Sequence, residues 1–268
     1  MFNLLRMDLY RIKRSKSLYV CLGVMLFMMV MVMGMVWLVA TPQGQDTALH
    51  IGMLSPEDLK DGSSMLEGEN TLSMFRQNGM DGGSYSLIFG IWVMLFVCAD
   101  YQNGFIKNIM ALHQNRWNYV GSKVLAAGVV NLFYLLIQFL FLLLLNQLFG
   151  IRVPCTGWKD VLFYLSWVWL LTTAFAALII LICVITRSVA AGALAAVFLG
   201  TGSLVMPLYG ILQQFHMGEW LKYTIYMTMN RGADQYHSLS DLSVYLIGVV
   251  FLLLYGGLAG VILRRQDI

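Results

Sequence analysis

The chain has 268 residues, of which 59% are hydrophobic and only 12% are charged, and its formal net charge is +3. A soluble domain usually carries about a quarter of its residues as charged side chains. This composition therefore excludes an ordinary water-soluble protein and predicts an all-α integral membrane protein.

Residues 1–17 are predicted to form an amphipathic helix that lies at the membrane interface. Its apolar face holds Phe2, Leu5, Leu9 and Ile12 at helical spacing. Basic side chains lie beside this stripe, which suits the headgroup layer of an anionic inner leaflet. The pattern is also a topology signal, and the sequence leaves open whether the helix contacts a partner protein.

Residues 18–268 are predicted to form a transmembrane domain of six helices. A helix needs about 20 apolar residues to cross the hydrocarbon core, and backbone polar groups in lipid must be satisfied within the segment. No charged side chain falls in any of the six apolar runs. The runs are Leu18–Ala40, Ser84–Ala99, Val124–Phe149, Val161–Thr186, Val189–His216 and Leu242–Leu263.

The Lys and Arg residues predict which helix ends face the cytoplasm. If the N-terminus is cytoplasmic, eleven of the 17 Lys and Arg residues fall in inner segments. Positive charge is enriched on the cytoplasmic side of membrane proteins. Because six is an even number of spans, both termini are predicted to be cytoplasmic.

The connection between the first two spans, residues 41–83, is predicted to be external. It is polar and holds seven of the 14 acidic residues. Residues 55–58, Ser-Pro-Glu-Asp, are typical of a helix start, and a second short helix is predicted around Asn70–Gln77. Two interpretations stay open: a small cap over the bundle, and a loop that is merely solvated.

The next connection, residues 100–123, is predicted to be cytoplasmic and to hold a short amphipathic helix. Asp100 ends the second span, and Gly104 permits a sharp turn. The mixed apolar and polar residues Phe105–Leu112 follow, with Arg116 before the third span. An amphipathic helix between two spans is suited to receive a soluble partner.

The sequence carries no motif for ATP binding or for intramembrane catalysis. It lacks a phosphate-binding loop of the form Gly-x-x-x-x-Gly-Lys-Ser/Thr, and its four histidines are scattered. The spans contain no acid or base for a proton- or ion-driven carrier. The chain is therefore predicted to bind no cofactor or metal, and ATP hydrolysis must occur on another polypeptide.

Three polar residues enter the third span on one helix face, at intervals of seven and eight: Asn131, Gln138 and Asn146. One interpretation is that they line a substrate path. The other is hydrogen bonding between helices, which is typical of buried amides in lipid and is favoured here.

The fifth apolar run is long for one span and contains helix-breaking residues. Gly200, Gly202 and Pro207 fall in its second half, and proline removes a helical hydrogen bond. The chain is therefore predicted not to cross straight through to His216.

The segment from Asp100 to Lys123 resembles the first cytoplasmic loop of permease subunits of type-2 ATP-binding-cassette (ABC) exporters. That loop reads Glu-x-x-x-Gly-Thr, then an apolar helix, then Pro-x-x-Arg and a Lys seven residues later. The spacing is the same here, with Asp in place of Glu, Phe in place of Thr and His in place of Pro. The matching residues are Asp100, Gly104, Phe105, His113, Arg116 and Lys123. The ending, residues 264–268 (Arg-Arg-Gln-Asp-Ile), also resembles that family.

The resemblance implies that this loop docks onto a cytoplasmic ABC ATPase. The apolar side of the docking helix is expected to fill a groove on that partner, so that Ile109→Glu would uncouple the two without disturbing the spans. The residues expected to couple the chain to the ATPase are Asp100, Gly104, Phe105, Ile106, Ile109, Met110 and Arg116. Two ATPase copies carrying Mg-ATP and a second permease chain, identical or homologous, complete the expected complex.

The same resemblance implies the biology and one further structural feature. Small permeases of this kind in bacterial plasma membranes export lantibiotics and other antimicrobial peptides or give immunity to them, so an amphipathic or lipophilic substrate is expected. Residues 206–229 are expected to dip back into the outer leaflet as a re-entrant hairpin. Membrane lipid is expected to be a partner of the chain, and nucleic acid is not. The alternative is a membrane sensor or assembly subunit that transports nothing.

Overall fold

The computed structural model describes residues 2–52, 68–112, 116–151, 153–215 and 218–266. Within these ranges the regular structure is helical and there is no strand. The α-helices are α1 (Phe2–Arg14), α2 (Lys16–Ala40), α3 (Pro42–Ile51), α4 (Thr71–Phe75), α5 (Ser84–Gln102), α6 (Phe105–Leu112), α7 (Trp117–Leu148), α8 (Trp158–Thr186), α9 (Val189–Gly200), α10 (Val205–Gln214), α11 (Ile225–Arg231) and α12 (Ser243–Arg265).

Five of these helices are long and apolar enough to cross a membrane: α2, α5, α7, α8 and α12. The pair α9 and α10 provides a sixth span if it is counted as one, and the two helix axes differ by 55°. The predicted all-α membrane fold is therefore confirmed. The spans agree with the apolar runs because only a helix satisfies its own backbone in lipid.

Helix α8 is the centre of the bundle. It packs against α5, α7, α9 and α12, and its large side chains Tyr164 and Trp167 are fully buried. By contrast, Phe27 on α2 and Leu253 on α12 are more than half exposed. Exposed apolar side chains at membrane depth face lipid rather than water, which agrees with the low charge of the sequence.

Helix α1 packs on α7 instead of lying free at the surface. Ser15, with φ −76° and ψ 126°, separates it from α2. The buried residues of α1 are Leu4, Asp8 and Ile12, whereas Phe2 is 84% exposed. The face of α1 turned to the bundle therefore contains an acidic residue that the sequence pattern did not single out, while the interfacial role of residues 1–17 stays a prediction.

Part of the connection between the first two spans is packed into the bundle. Asn70 caps α4: its Oδ1 accepts from the Ser73 N–H, and the Ser73 Oγ accepts from the Asn70 N–H, each at 2.8 Å. Leu72 and Phe75 on α4 are fully buried. These residues support the cap interpretation over the solvated loop, while the predicted helix start at residues 55–58 lies outside the described residues.

The predicted break in the fifth run is present, but earlier in the chain than Pro207. Helix α9 ends at Gly200, and Gly202 has a φ of +70°. Pro207 lies in the first turn of α10, where a proline costs little because that N–H has no helical partner. A 3₁₀ helix, Gly218–Tyr223, and α11 follow; whether they form a hairpin in the outer leaflet stays a prediction.

Candidate functional site

A buried lysine between two aspartates joins three helices at the end of the bundle where α6 lies. Nζ of Lys123 on α7 is 2.9 Å from Oδ1 of Asp8 on α1 and 2.7 Å from Oδ2 of Asp100 on α5. None of the three residues is more than 1% exposed. Because each carboxylate comes from a different helix, the lysine holds α1 and α5 against α7.

Arg11 and two hydroxyl groups complete this site. Nη2 of Arg11 is 2.8 Å from Oδ1 of Asp100. The Tyr119 hydroxyl donates to Asp100 at 3.0 Å, and the Ser122 hydroxyl donates to Asp8 at 3.1 Å. We refer to Asp8, Arg11, Asp100 and Lys123 as the ion cluster.

The ion cluster is balanced, with two positive and two negative charges. Taking an ion out of water costs several kcal/mol, and this cost is offset only when the ion is paired and hydrogen bonded. The ring of Phe96 adds a further contact, since its centroid lies 3.9 Å from the Lys123 Nζ. Charged residues buried at a membrane interface are costly and are usually functional.

Helix α6 begins beside the ion cluster, after a short turn that follows α5. Gly104 follows α5 with a φ of +65°, which only glycine adopts freely, and α6 begins at Phe105 as predicted. The Arg11 guanidinium lies 4.3 Å from the centre of the Phe105 ring. One side chain of the ion cluster therefore contacts both α5 and the first residue of α6.

The structure corrects the predicted contact face of α6. Ile106 and Ile109 are only 3% and 5% exposed within this chain, so their side chains are already packed and do not present an open apolar face to a partner. Among residues 105–110, whose burial the structure describes, Lys107 and Asn108 are exposed and Met110 is partly buried. This part of α6 therefore exposes a polar and basic surface.

Arg116 makes its contacts within the chain, at the end of α12. It donates to the carbonyl oxygens of Leu263 at 2.7 Å, Arg264 at 3.2 Å and Gln266 at 2.5 Å. A cation is stabilising at the C-terminal end of a helix, where carbonyl groups lack helical partners. The matching His113 and the end of the predicted C-terminal motif, residues 267–268, lie outside the described residues.

The polar residues on one face of the third span, α7, differ in their hydrogen bonds. Asn131 is fully buried, and its Nδ2 lies 2.6 Å from Thr172 Oγ1 and 2.9 Å from Thr173 Oγ1, both on α8. Its Oδ1 accepts from the Tyr85 hydroxyl at 2.6 Å. Asn131 therefore binds helices together, as the favoured interpretation held. The Gln138 Oε1 is buried without a hydrogen-bond partner, and a substrate path there stays a prediction.

A second anchor lies at the opposite end of the bundle, at Arg76. Its side chain is 3.0 Å from Asp81 and 2.9 Å from Asp234, and it also donates to the carbonyl oxygens of Gly232 and Asn230. This residue ties the cap before α5 to the segment between α11 and α12.

The sequence prediction missed Asp8 and Arg11, which it placed on a surface helix. One signal was present: Asp8 is the only acidic residue in the first 45 positions. A single acid on a basic helix that enters a membrane bundle suggests a buried partner. That partner, Lys123, is 115 residues away, so local spacing gives no information on the pairing.

In the parts of the chain that the structure describes, no group of three or more His, Cys, Asp or Glu side chains is placed to hold a metal ion. A family model described as ABC-2 family transporter protein matches residues 4–203. No curated protein matches the sequence. The family match extends from α1 into the break after α9, so it includes the whole ion cluster and α6. The chain is thus a multi-pass membrane protein that belongs to the ABC-2 transporter family, as a permease subunit of an ABC transporter.

Proposed function

We propose that this permease exports an amphipathic or lipophilic substrate, of the class of antimicrobial peptides, powered by ATP hydrolysis on two copies of a separate ABC ATPase. Membership of the family implies the ATPase partner. The proposal adds the direction, the substrate class, the two ATPase copies and a second permease chain. Both termini and α6 are then cytoplasmic.

The observation that carries the proposal is the contact between α6 and the ion cluster. Arg11 touches Phe105 on α6 and pairs with Asp100 on α5, while Lys123 pairs with Asp8 and Asp100. A displacement of α6 by the ATPase would therefore act on α1, α5 and α7 together. A packed junction of paired charges has only a few discrete arrangements, so a displacement of one helix moves the helices paired with it.

The docking surface we assign to the ATPase is the exposed side of α6. Lys107 and Asn108 are exposed, and the buried Ile106 and Ile109 hold the helix in place. Charged and polar side chains on this side suit a soluble partner, because complementary charge guides association and fixes orientation.

A non-transporting sensor or assembly subunit is the second candidate. It would have the same spans and would move no substrate, but it would not need the coupling pattern of residues 100–123. A transport assay separates the two functions, whereas ATPase binding alone does not.

The test is reconstitution of the permease with its ABC ATPase in liposomes. With ATP and ATPase outside, export by inverted permeases should accumulate a fluorescent cationic amphipathic peptide in the lumen. A matched ATPase variant that binds but does not hydrolyse ATP should abolish accumulation. Hydrolysis without accumulation of any peptide of this class would favour the sensor.

A further inference from the structure

A cavity of about 170 Å³ lies beside the ion cluster, between the α1–α2 junction and α5. One side is polar and is formed by Arg11, Ser15 and Ser17. The other side is apolar and includes Trp92, Leu95 and Phe96 of α5. The cavity therefore combines hydrogen-bond donors with an apolar wall, at the level where α1 meets the first span.

The polar side of the cavity has donors in excess of acceptors. Arg11 pairs with Asp100 through Nη2, whereas its Nη1 has no hydrogen bond and is 3.9 Å from the nearest oxygen of Asp8. The Ser15 and Ser17 hydroxyls are 2.6 Å apart and share one hydrogen bond. Two hydroxyls carry two protons, so one proton of this pair is not used in their mutual hydrogen bond.

The start of α2 adds to this excess. Ser15 is its N-cap residue, but the Ser15 side chain makes no capping hydrogen bond. The first N–H groups of a helix have no helical acceptor and favour an anion. Asp8 and Asp100, the nearest acids, are at most 1% exposed and do not line the cavity.

The surroundings indicate what kind of anion fits. Lys13 and Lys16 are exposed around the same junction, and basic residues at a membrane surface attract anionic lipids. Trp92 precedes Ala99 by seven residues, so the apolar wall extends about 10 Å along α5. Leu95 in this wall is 39% exposed, so the apolar side of the cavity is accessible from outside the bundle.

We propose that this cavity binds one anionic phospholipid of the leaflet against which α1 lies. Its phosphate accepts from Arg11, Ser15 and Ser17, and the upper part of one acyl chain lies along Leu95 and Phe96. A zwitterionic lipid would bring an ammonium group beside the exposed lysines, and a free phosphate would leave the apolar wall unfilled. The proposal is independent of the substrate and direction of transport.

The test uses the full chain in phosphatidylcholine nanodiscs that contain a phosphatidylglycerol with a photoactivatable acyl chain. Mass spectrometry should locate the crosslink on α5 near Leu95. Replacing part of the disc phosphatidylcholine with unlabelled phosphatidylglycerol should lower labelling, because phosphatidylcholine brings its ammonium group beside the exposed lysines and competes about tenfold more weakly. Glycerol phosphate should not compete.

Two variants and one control make the assignment specific. Ser15→Ala combined with Ser17→Ala should reduce labelling about tenfold, and Ala99→Leu should reduce it by filling the cavity. Arg14→Gln should leave labelling unchanged, because Arg14 stacks on Tyr10 and does not line the cavity. Equal loss in Arg14→Gln, equal competition by phosphatidylcholine or by glycerol phosphate, or unaltered labelling in both cavity variants would overturn the proposal.

Discussion

Lys123 determines whether two buried carboxylates are tolerated in this bundle. Its Nζ is within 3 Å of both Asp8 and Asp100, and all three side chains are hidden from solvent. Replacing Lys123 with Met keeps much of the volume but leaves Asp8 without its closest cation. We expect Lys123→Met to lower the free energy of unfolding by about 3–5 kcal/mol, as found when one partner of a buried pair is removed. Thermal unfolding in detergent measures this loss.

The control for this prediction is Lys107→Met, which removes the same charge from an exposed position on α6 and should change stability little. The double variant Asp8→Asn with Lys123→Met should recover part of the loss. Asp100 is then the only carboxylate left in the ion cluster, and it still pairs with Arg11. Equal melting temperatures for Lys123→Met and Lys107→Met would show that the pairing contributes nothing.

Asn131 and Gln138 lie on one face of α7 but differ in their hydrogen bonds. Asn131 bonds to α5 and α8, whereas the Gln138 Oε1 has no partner. Asn131→Leu should therefore cost about 1–2 kcal/mol of stability, and Gln138→Leu should cost little. Thermal unfolding compares the two variants. A larger loss in Gln138→Leu would contradict the helix–helix assignment.

At the scale of the element, the lengths of the apolar runs and the positions of glycine residues predicted most of the fold. Five of the six apolar runs coincide with single helices because lipid tolerates no unsatisfied backbone, while the fifth run is divided between α9 and α10. Helix α6 begins directly after Gly104 as expected. The orientation of each helix about its own axis was harder to predict. The burial of Asp8, Ile106 and Ile109 depends on neighbours distant in sequence. Local periodicity therefore did not predict that Asp8 is buried, and it placed Ile106 and Ile109 on a face open to a partner.

The break between α9 and α10 illustrates a further limit of sequence patterns. Proline is the strongest helix breaker in isolation, yet Pro207 is accommodated in the first turn of α10. The break depends instead on Gly202, where a Cβ atom would lie 2.2 Å from the Tyr226 ring. The contact with Tyr226 arises only in the folded chain and could not be read from the sequence.

Gly202→Ala should therefore destabilise the protein by more than about 1 kcal/mol, from the left-handed backbone alone, with the clash against Tyr226 in addition. Gly210→Ala is the matched control, because Gly210 lies within α10 and a Cβ there meets nothing within 4 Å. Alanine in a helix interior should be neutral or slightly stabilising. Unfolding temperatures of the two variants give the comparison, and equal values would mean that the break does not depend on Gly202.

On the scale of the whole molecule, the bundle is anchored at both ends around α8. The ion cluster joins α1, α5 and α7 at one end. Arg76 joins the cap before α5 to Asp234, between α11 and α12, at the other. These anchors predict that the spans shift as groups rather than singly, as expected for a transporter driven from one end. The cytoplasmic location of both termini stays a prediction from the distribution of Lys and Arg.

The central claim is that a separate ATPase drives the permease through the exposed side of α6. Ile109→Glu is no longer a clean test, because Ile109 is buried in this chain and a charge there would disturb its own fold. Lys107→Glu combined with Asn108→Glu changes only exposed residues, and Arg265→Glu is a control that reverses one exposed charge at the end of α12.

The most direct measurement is substrate-stimulated ATP hydrolysis by the reconstituted complex with its ATPase. The double α6 variant should insert and melt like the unaltered protein. It should nevertheless lose stimulation and copurify poorly with the ATPase, because acidic side chains replace the polar, basic surface that we assign to ATPase docking. Arg265→Glu should retain stimulation. Full stimulation and peptide export by the α6 variant would contradict the claim that α6 couples this permease to its ATPase.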